Sequence, residues 1–187
     1  MRTGRVFVRQ TLGDGSRVVL RAPRPSDLDE MLRFANCLVR EKRMNPGLGI
    51  LMDRRLNRKA EAKFLDGLLT GVRTKDAVSV TAEVDGRIVG HTEVRRQPPG
   101  DVRHVGRFGI AILQEYRGKG LGKLLMGTVL EQAGALGMKL ITLEAYANNE
   151  AALQLYRSFG FKEFGRLGGG VRPGGEPLGL VYMFRQS

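Results

Sequence analysis

The stretch Arg117-Gly118-Lys119-Gly120-Leu121-Gly122-Lys123 joins an apolar run, residues 108–113, to an amphipathic segment. In that segment, apolar residues recur at the three- and four-residue spacing of one helix face. They are Leu121, Leu124, Leu125, Val129, Ala133 and Leu136. The pattern predicts a strand, a short glycine-rich turn and a helix, in that order.

A turn of this composition at the start of a helix favours an anion. The first main-chain N–H groups of a helix have no partner inside the helix, and that end carries a partial positive charge. Glycines let a ligand approach the main chain closely. Arg117, Lys119 and Lys123 add full positive charges. The sequence therefore predicts a site for a phosphate or pyrophosphate.

Two common phosphate loops do not fit these residues. The loop of nucleotide triphosphatases needs Ser or Thr after Gly-Lys, but here Gly120 follows the first Gly-Lys pair and Leu124 follows the second. The dinucleotide fingerprint needs G-x-G-x-x-G. Counted from Gly118 or from Gly120, its last glycine is replaced by Lys123 or Leu125. The spacing that remains is Arg-x-x-Gly-x-Gly.

Length and composition indicate one globular domain over residues 1–187, with 27% charged and 42% apolar residues. No apolar run approaches the roughly 20 residues of a membrane span, and the first residues lack the apolar core of a signal peptide. Cys37 is the only cysteine, and the two histidines, His91 and His104, lie apart from it. We expect a cytoplasmic protein without a metal site or disulfide.

The net charge is +12, which attracts polyanions such as nucleic acid, ribosomes or a phosphate-rich cofactor. Lys and Arg are nevertheless spread from Arg2 to Arg185, and no nucleic-acid-binding signature is present. A solvated basic surface and a polyanion-binding face therefore both remain open. A nucleic-acid partner is allowed but not required, and a homodimer is also left open.

The first half of the chain predicts a hairpin, two helices and a second hairpin. Strands over 6–11 and 17–21 flank Asp14-Gly15, and a helix starts near Ser26. Residues 40–51 predict a loop, because they contain Asn, Pro and Gly together. A second helix is expected to begin at Asp53. Its predicted buried stripe is Leu56, Ala60, Phe64 and Leu68.

The second hairpin and the second half of the chain alternate strands with two helices. Strands over 77–84 and 87–94 flank Asp85-Gly86, and a long strand is expected over 102–113. A helix over 120–136, a strand over 139–145 and a short helix over 149–159 follow. The last two strands, 161–167 and 178–185, are separated by a glycine-rich segment, 168–175, which predicts a mobile loop.

This order of elements, together with two motifs, resembles the GNAT superfamily of N-acetyltransferases. The first motif is Gln114-Glu115-Tyr116-Arg117-Gly118-Lys119-Gly120-Leu121-Gly122. The second motif is Asn149-Glu150-Ala151-Ala152-Leu153-Gln154-Leu155-Tyr156-Arg157-Ser158-Phe159-Gly160-Phe161. Residues 143–156 look most like the branch that acetylates protein N-termini, including those of ribosomal proteins. The resemblance implies an α/β (α+β) fold with a mixed, mostly antiparallel sheet of about seven strands, about four helices and an extra N-terminal hairpin strand.

The resemblance also implies acetyl-CoA as the cofactor and assigns its contacts. The strand residues Ile110, Ala111 and Ile112 would pair with the pantetheine arm. The main-chain N–H groups of residues 118–123 would hold the pyrophosphate. The full set of implied cofactor residues is Ile110, Ala111, Ile112, Arg117, Gly118, Lys119, Gly120, Leu121, Gly122, Lys123 and Asn149.

Acetyl transfer to an amine by direct attack on the thioester needs a base and a donor to the leaving thiolate. A lysine-like amine with a pKa of ~10.4 costs about 4–5 kcal/mol to deprotonate at pH 7. By resemblance, Tyr156 would protonate the thiolate and Glu144 would be the base. Glu93 and His104 are weaker candidates for the base. Other family members carry a glutamate on the preceding strand, about where Gly106 stands.

The implied activity is an acetyl-CoA-dependent N-acetyltransferase acting on a primary amine. The acceptor is open between a peptide or protein amine, which is slightly preferred, and a small molecule. The few carboxylates near the expected groove, Glu41 and Glu176, disfavour a polycationic acceptor. A basic nucleic-acid- or ribosome-associated binding protein without catalysis is the rival interpretation.

Overall fold

The computed structural model of the chain describes residues 2–45, 48–49, 54–97, 100–171 and 175–186. The described strands are β1 (Val6–Thr11), β2 (Arg17–Arg21), β3 (Ala77–Val84), β4 (Arg87–Arg96), β5 (Val105–Ile112), β6 (Leu140–Tyr146), β7 (Lys162–Val171) and β8 (Leu178–Gln186). The described α-helices are α1 (Leu28–Met44), α2 (Arg58–Thr74), α3 (Leu121–Ala135) and α4 (Glu150–Ser158).

All eight strands of the described residues form one sheet in the order β1-β2-β3-β4-β5-β6-β8-β7. Every neighbouring pair is antiparallel except β5 and β6, which run parallel. The predicted mixed, mostly antiparallel sheet is thereby confirmed, and the N-terminal hairpin contributes its eighth strand. The parallel pair is short, since only Val105, Gly106 and Arg107 have partners on β6.

The two faces of the sheet are covered by different helices. α3 packs against the buried face of β3, β4 and β5, where Leu121, Leu125 and Val129 lie in the main core. On the other face, α1 residues Phe34 and Leu38 pack in a smaller cluster that Ala111 of β5 joins from the sheet. Successive strand residues point to opposite faces, so each position on β5 can be assigned to one of these two sides.

A buried ion network fixes the start of α1 against the sheet. Arg21 of β2 donates to Asp27 (Nη1 to Oδ2, 2.7 Å) and to Glu83 of β3 (Nη2 to Oε2, 2.6 Å). Arg21 and Asp27 are almost fully buried. Removing one partner from such a pair costs about 3–5 kcal/mol, because the other charge stays buried without compensation.

α1 is longer than the sequence predicts. Residues 40–44, which were expected in a loop, complete its last turn, and the N–H of Asn45 donates to the carbonyl of Glu41. Residues 40–44 are mostly good helix formers, and the helix ends only before Pro46, which disfavours helical geometry in the residue preceding it. The remaining loop residues, 46–47 and 50–51, lie outside the described residues.

α2 begins later and buries a different stripe than predicted. Its cap is Asn57, whose Oδ1 accepts from the N–H of Ala60 at 2.9 Å, whereas Asp53 lies outside the described residues. Phe64 is 48% exposed, and the prediction that it is buried is wrong. The buried positions are Glu61, Leu65, Leu68, Gly71 and Val72. Relative to the predicted stripe, the buried face is shifted by about one residue along the helix. It includes Glu61, and an apolar pattern cannot reveal that a carboxylate is buried.

The other boundaries shift by a few residues. β5 starts at Val105, since 100–102 form a short 3₁₀ turn. β7 continues to Val171, which pairs with Leu178, so the prediction that residues 168–171 form a loop is wrong. The register with β8 is interrupted between Leu167 and Val171 and resumes at Val171, so the glycine composition alone did not reveal this part of the strand. Residues 172–174 lie outside the described residues.

Candidate active site

The glycine turn presents a row of main-chain donors. Gly118 and Gly120 adopt φ of +74° and +89°, a left-handed conformation that favours glycine. The N–H groups of residues 118–122 donate to no other described residue. The N–H of Lys123, by contrast, already donates to the carbonyl of Gly120 at 3.1 Å. Five consecutive free donors at the start of α3 fit a pyrophosphate, and Lys123 is left to contribute its side chain.

Gly122 has a packing role. A Cβ at this position would lie 3.1 Å from Cδ2 of Leu155, on α4. The third glycine of the motif thus lets α4 approach the start of α3, whereas a Cβ at Gly118 or Gly120 would meet nothing within 4 Å. The turn is therefore open around Gly118 and Gly120.

Arg117 is held by the protein itself. Its Nε donates to the carbonyl of Ile112 at 2.8 Å, and its Nη2 forms an ion pair with Glu41. The other oxygen of Glu41 accepts from the N–H of Gln114 at 2.9 Å. Glu41 therefore ties the last turns of α1 to the glycine turn. In this arrangement the guanidinium of Arg117 connects the glycine turn to the end of β5 and to α1.

Lys119 is braced by the N-terminal hairpin. Its Nζ lies 2.7 Å from Oδ2 of Asp14 and 5.4 Å from the ring centre of Tyr116. Hydrogen bonding to Lys119 lowers the pKa of Asp14 to about 2. Beside this pair is a cavity of about 300 Å³ between the hairpin and the turn, lined in part by Lys119 and Lys123.

A gap opens between β5 and β6 next to the turn. Their pairing ends at Arg107 and Thr142, while β5 continues to Ile112. Ile110, Ala111 and Ile112 pair with β4 on one side only. On the side that faces β6, they have no strand partner among the described residues. This free strand edge can pair with an extended arm such as pantetheine.

Asn149 caps α4 on the far side of the gap. Its Oδ1 accepts from the N–H of Ala152 at 3.2 Å, which satisfies a free donor of the helix end. A Cβ at Gly49 would lie 3.7 Å from its Nδ2. The amide group of Asn149 thus caps the helix and also lies near the segment that follows α1.

Tyr156 lies under α4 in an aromatic cluster. Its ring packs edge-on against Phe108 of β5, with ring centres 5.8 Å apart, and at a tilt against Phe161, at 6.2 Å. Its side chain is buried, and burial raises its pKa to about 12. The hydroxyl makes no hydrogen bond to another described residue and remains protonated at neutral pH.

Glu144 lies on the opposite face of the sheet from Tyr156. Its carboxylate forms an ion pair with Arg107 of β5. Phe108, the next residue on β5, contacts Tyr156. Because adjacent strand residues point to opposite faces, Glu144 and Tyr156 border the gap from opposite sides. A thioester carbonyl in the gap would have a carboxylate on one side and a hydroxyl on the other.

The other candidate positions for the base differ in their surroundings. His104 is exposed, and its carbonyl accepts from the N–H groups of Lys139 and Leu140. A carboxylate could not replace Gly106, because a Cβ there would lie 2.5 Å from Cγ1 of Val94. Glu93, on β4, remains a candidate, since it lies on the face of Arg107 and Glu144.

Several residues that shape this region do not belong to either motif. Glu41 and Asp14 brace the basic residues of the turn, and Arg107 holds Glu144. Glu41 was visible in the sequence only as one of two carboxylates near the expected groove. Its contact with Arg117 depends on the extra helical turn of α1, which the sequence pattern did not predict.

Neither a cluster of metal ligands nor a helix able to span a membrane is found among the described residues. The described residues contain no group of three or more His, Cys, Asp or Glu side chains placed to hold a metal. None of the described helices is long and apolar enough to cross a bilayer.

A comparison with protein families agrees with the fold and the glycine turn. Residues 50–161 match the model of the acetyltransferase (GNAT) family. The chain belongs to this family. The resemblance seen in the two sequence motifs is thereby confirmed.

Curated relatives include enzymes with different acceptors. An L-amino acid N-acetyltransferase from Escherichia coli is 28% identical over 107 residues, 57% of this chain and 66% of that protein. An N-alpha-acetyltransferase from Sulfurisphaera tokodaii is 34% identical over 102 residues, 47% of this chain and 58% of that protein. A ribosomal protein bS18-alanine N-acetyltransferase from Escherichia coli is 38% identical over 56 residues, 30% of this chain and 38% of that protein. The chain spans between 23% and 66% of the length of the first three relatives it matches.

Solved structures share the fold over most of the chain. A GNAT-family acetyltransferase from Streptococcus pneumoniae has a TM-score of 0.80 at 24% identity and covers 91% of this chain and 99% of its own. A phosphinothricin acetyltransferase from Sinorhizobium meliloti, solved in complex with acetyl-CoA, has a TM-score of 0.74 at 20% identity and covers 95% of this chain and 89% of its own. These structures confirm the predicted fold class.

Proposed function

We propose that the protein is an acetyl-CoA-dependent N-acetyltransferase that acetylates the α-amine of a peptide or protein. The single observation that carries this proposal is the gap between β5 and β6, which leads from five free main-chain donors to a carboxylate and a tyrosine on opposite faces. Acetyl-CoA, when bound, supplies the activated acetyl group as a thioester.

The proposed acetyl-CoA contacts rest mainly on main-chain hydrogen-bonding groups that are not used inside the described protein. The N–H groups of residues 118–122 would hold the pyrophosphate, with Lys119 and Lys123 adding charge. Arg117 would keep the turn in place through Glu41, and its role in binding is indirect in the described geometry. Residues 110–112 would bind the arm along the free edge of β5, next to the amide of Asn149.

Glu144 would take the proton from the acceptor. Its side chain is 28% exposed, so water or an amine can reach it. An α-amine has a pKa of ~7.7–8.0, and its deprotonation at pH 7 costs only about 1 kcal/mol, against about 4–5 kcal/mol for a lysine side chain. An α-amine therefore needs less help from a base than a lysine does, which favours an α-amine as the acceptor.

Tyr156 would act mainly as a hydrogen-bond donor to the leaving sulfur. Burial raises its pKa to about 12, so the hydroxyl gives up its proton less readily than an exposed tyrosine does. A hydrogen bond to a charged partner is worth about 1.5–3 kcal/mol. The hydroxyl can thus stabilise the thiolate while keeping its own proton.

Two observations bear on the kind of acceptor. Matches to an N-alpha-acetyltransferase and to a ribosomal-protein-alanine N-acetyltransferase support a protein terminus. The match to an L-amino acid N-acetyltransferase supports a free amino acid as the second candidate, since it also offers an α-amine. We further expect a single cytoplasmic acetyltransferase domain. A homodimer and a nucleic-acid contact through the basic surface are left open, and the proposed reaction requires neither.

The test is a free-thiol assay with acetyl-CoA and a panel of acceptors. The panel contains short peptides with a free N-terminus, the same peptides with a blocked N-terminus and one internal lysine, and free amino acids. We expect thiol release with the first set and little with the second. Release only with free amino acids would replace the peptide acceptor by the second candidate, and release with none of them would contradict the proposed function.

A further inference from the structure

A second cavity lies on the face of the sheet that carries Glu144. Its volume is about 440 Å³, within the range of ligand pockets. It opens between helix α2 and strand β4. Its lining residues are Ala60, Lys63, Phe64, Gly67, Glu93 and Arg95.

The position of Glu93 links this cavity to the gap between β5 and β6. Glu93 is the cross-strand partner of Gly109, two residues beyond Arg107, where the β5–β6 pairing ends. Directly opposed residues on neighbouring strands have Cβ positions only about 4.5–5.5 Å apart. A Cβ at Gly109 would meet nothing within 4 Å, so the missing side chain leaves free space between Glu93 and the gap. Glu93 therefore lies between this cavity and the face from which an acceptor would approach.

The carboxylate of Glu93 is only partly neutralised. Its Oε1 accepts from Nε of Arg95 at 2.5 Å, and its side chain is 16% exposed. Its Oε2 takes part in no hydrogen bond with another described residue. The charged groups around it are Arg95 on its own strand, Lys63 on α2 and Arg107 on β5, with His91 two residues before it. Oε2 is thus a free acceptor close to the gap.

The remaining wall is apolar and partly exposed. Phe64 is 48% exposed, and its ring packs edge-on against His91 with ring centres 6.2 Å apart. Ala60 and Gly67, one turn before and one turn after Phe64 on α2, leave room on both sides of the ring. Lys63 and Arg95 place positive charge on the lining, which opposes a cationic side chain there.

We propose that this cavity binds the N-terminal residue of the acceptor peptide and selects an apolar side chain. The side chain packs on Phe64 between Ala60 and Gly67, and the α-amine donates to Oε2 of Glu93 before Glu144 takes its proton. Glu93 is then a binding residue for the amine, and Phe64 sets the preference. This inference rests on the proposed function, because it deepens the description of the same acceptor face.

The experiment uses three peptides that differ only in their first residue, which is Leu, Ala or Lys. Binding of each peptide to the protein saturated with coenzyme A is measured by calorimetry, and acetylation is measured separately with acetyl-CoA. For the unaltered protein we expect the Leu peptide to bind at least tenfold more tightly than the Ala peptide, and the Lys peptide to bind most weakly.

Two variants and two controls test which residues cause the preference for the Leu peptide and the binding of its amine. Phe64→Ala should remove the tenfold preference for Leu while leaving binding of the Ala peptide within about twofold, because the lost ring contacts only the larger side chain. Glu93→Gln should weaken binding of both peptides about tenfold and leave acetyl-CoA binding unchanged. Lys59→Ala on α2 and Glu131→Gln on α3, both exposed, should change neither quantity.

The outcomes separate this inference from the proposed function. Equal binding of the Leu and Ala peptides to the unaltered protein, or an equal loss of both in Phe64→Ala, would overturn the pocket. No effect of Glu93→Gln on binding would overturn the amine contact. If the Leu peptide binds with the expected dependence on Phe64 but is never acetylated, the pocket stands and the proposed function fails.

Discussion

The two ends of the candidate site are built in different ways. At the cofactor end, a single local segment supplies the donors, and ion pairs from α1 and the N-terminal hairpin hold it in place. At the acceptor end, Glu93, Glu144 and Phe64 come from three elements that are far apart in the sequence. One end is thus specified by a motif, whereas the other depends on how the whole sheet is assembled.

This difference implies different responses to substitution. The glycine turn depends on main-chain geometry, so a single Cβ can disrupt it, and its bracing side chains matter less. The acceptor end depends on individual side chains, so conservative changes there should alter turnover or preference while leaving acetyl-CoA binding intact.

The largest effect is expected at the turn. Gly120→Val should abolish acetyl-CoA binding, because φ of +89° is strained for a β-branched residue and the free N–H groups would be displaced. Calorimetry with acetyl-CoA measures this directly. Gly134→Ala, on α3 with free space around its Cβ, is the matched control and should bind normally. Retained binding in Gly120→Val would contradict the role of the turn.

Glu144→Gln should lower the turnover number by roughly 10²–10⁴, the usual contribution of a general base. The rate should then rise with pH up to the pKa of the acceptor amine, because only the neutral amine reacts without a base. A pH–rate profile measured with saturating acetyl-CoA checks this. An unchanged profile would show that Glu144 does not accept the proton.

Tyr156→Phe should lower turnover by about 10–100-fold, the equivalent of one hydrogen bond of about 1.5–3 kcal/mol to a charged atom. Acetyl-CoA affinity should change little, since the ring that packs against Phe108 and Phe161 is kept. Steady-state kinetics and calorimetry together separate the two quantities. Normal turnover in this variant would remove Tyr156 from the chemistry.

The smallest of these effects is expected at Glu41. Glu41→Gln keeps the shape of the side chain but removes the charge paired with Arg117, so the turn should loosen and acetyl-CoA affinity should fall about three- to tenfold. The maximum turnover should stay the same. A larger loss of affinity than in Lys119→Ala would show that bracing outweighs direct charge, and no loss would show that Arg117 does not need its partner.

The sequence predicted the fold well because the fold depends on local patterns, whereas the cofactor residues of the glycine turn stay a prediction. Hairpin signals at Asp14-Gly15 and Asp85-Gly86 gave the antiparallel strands, and both motifs lie on the predicted elements. The α2 stripe was predicted wrongly, because the buried face includes Glu61, whose Oε1 has no hydrogen-bond partner among the described residues. An apolar period cannot show that a carboxylate is buried.

The acceptor end could be predicted only in part. Glu144 was predicted from the family resemblance of the segment that contains it. Its ion pair with Arg107, and its position across the sheet from Tyr156, depend on how β5 and β6 are arranged. Glu93 and Phe64 meet only because α2 packs over β4, which no local signal specifies. Positions that depend on long-range packing need the structure.

We expect the free main-chain N–H groups at the start of α3 to hold the cofactor. Amide hydrogen exchange, measured residue by residue with and without acetyl-CoA, tests this expectation. We expect strong slowing at residues 118–122 and along 110–112, with little change at Phe64 or on β7. Unchanged exchange across the glycine turn, with slowing at another place in the chain, would contradict it.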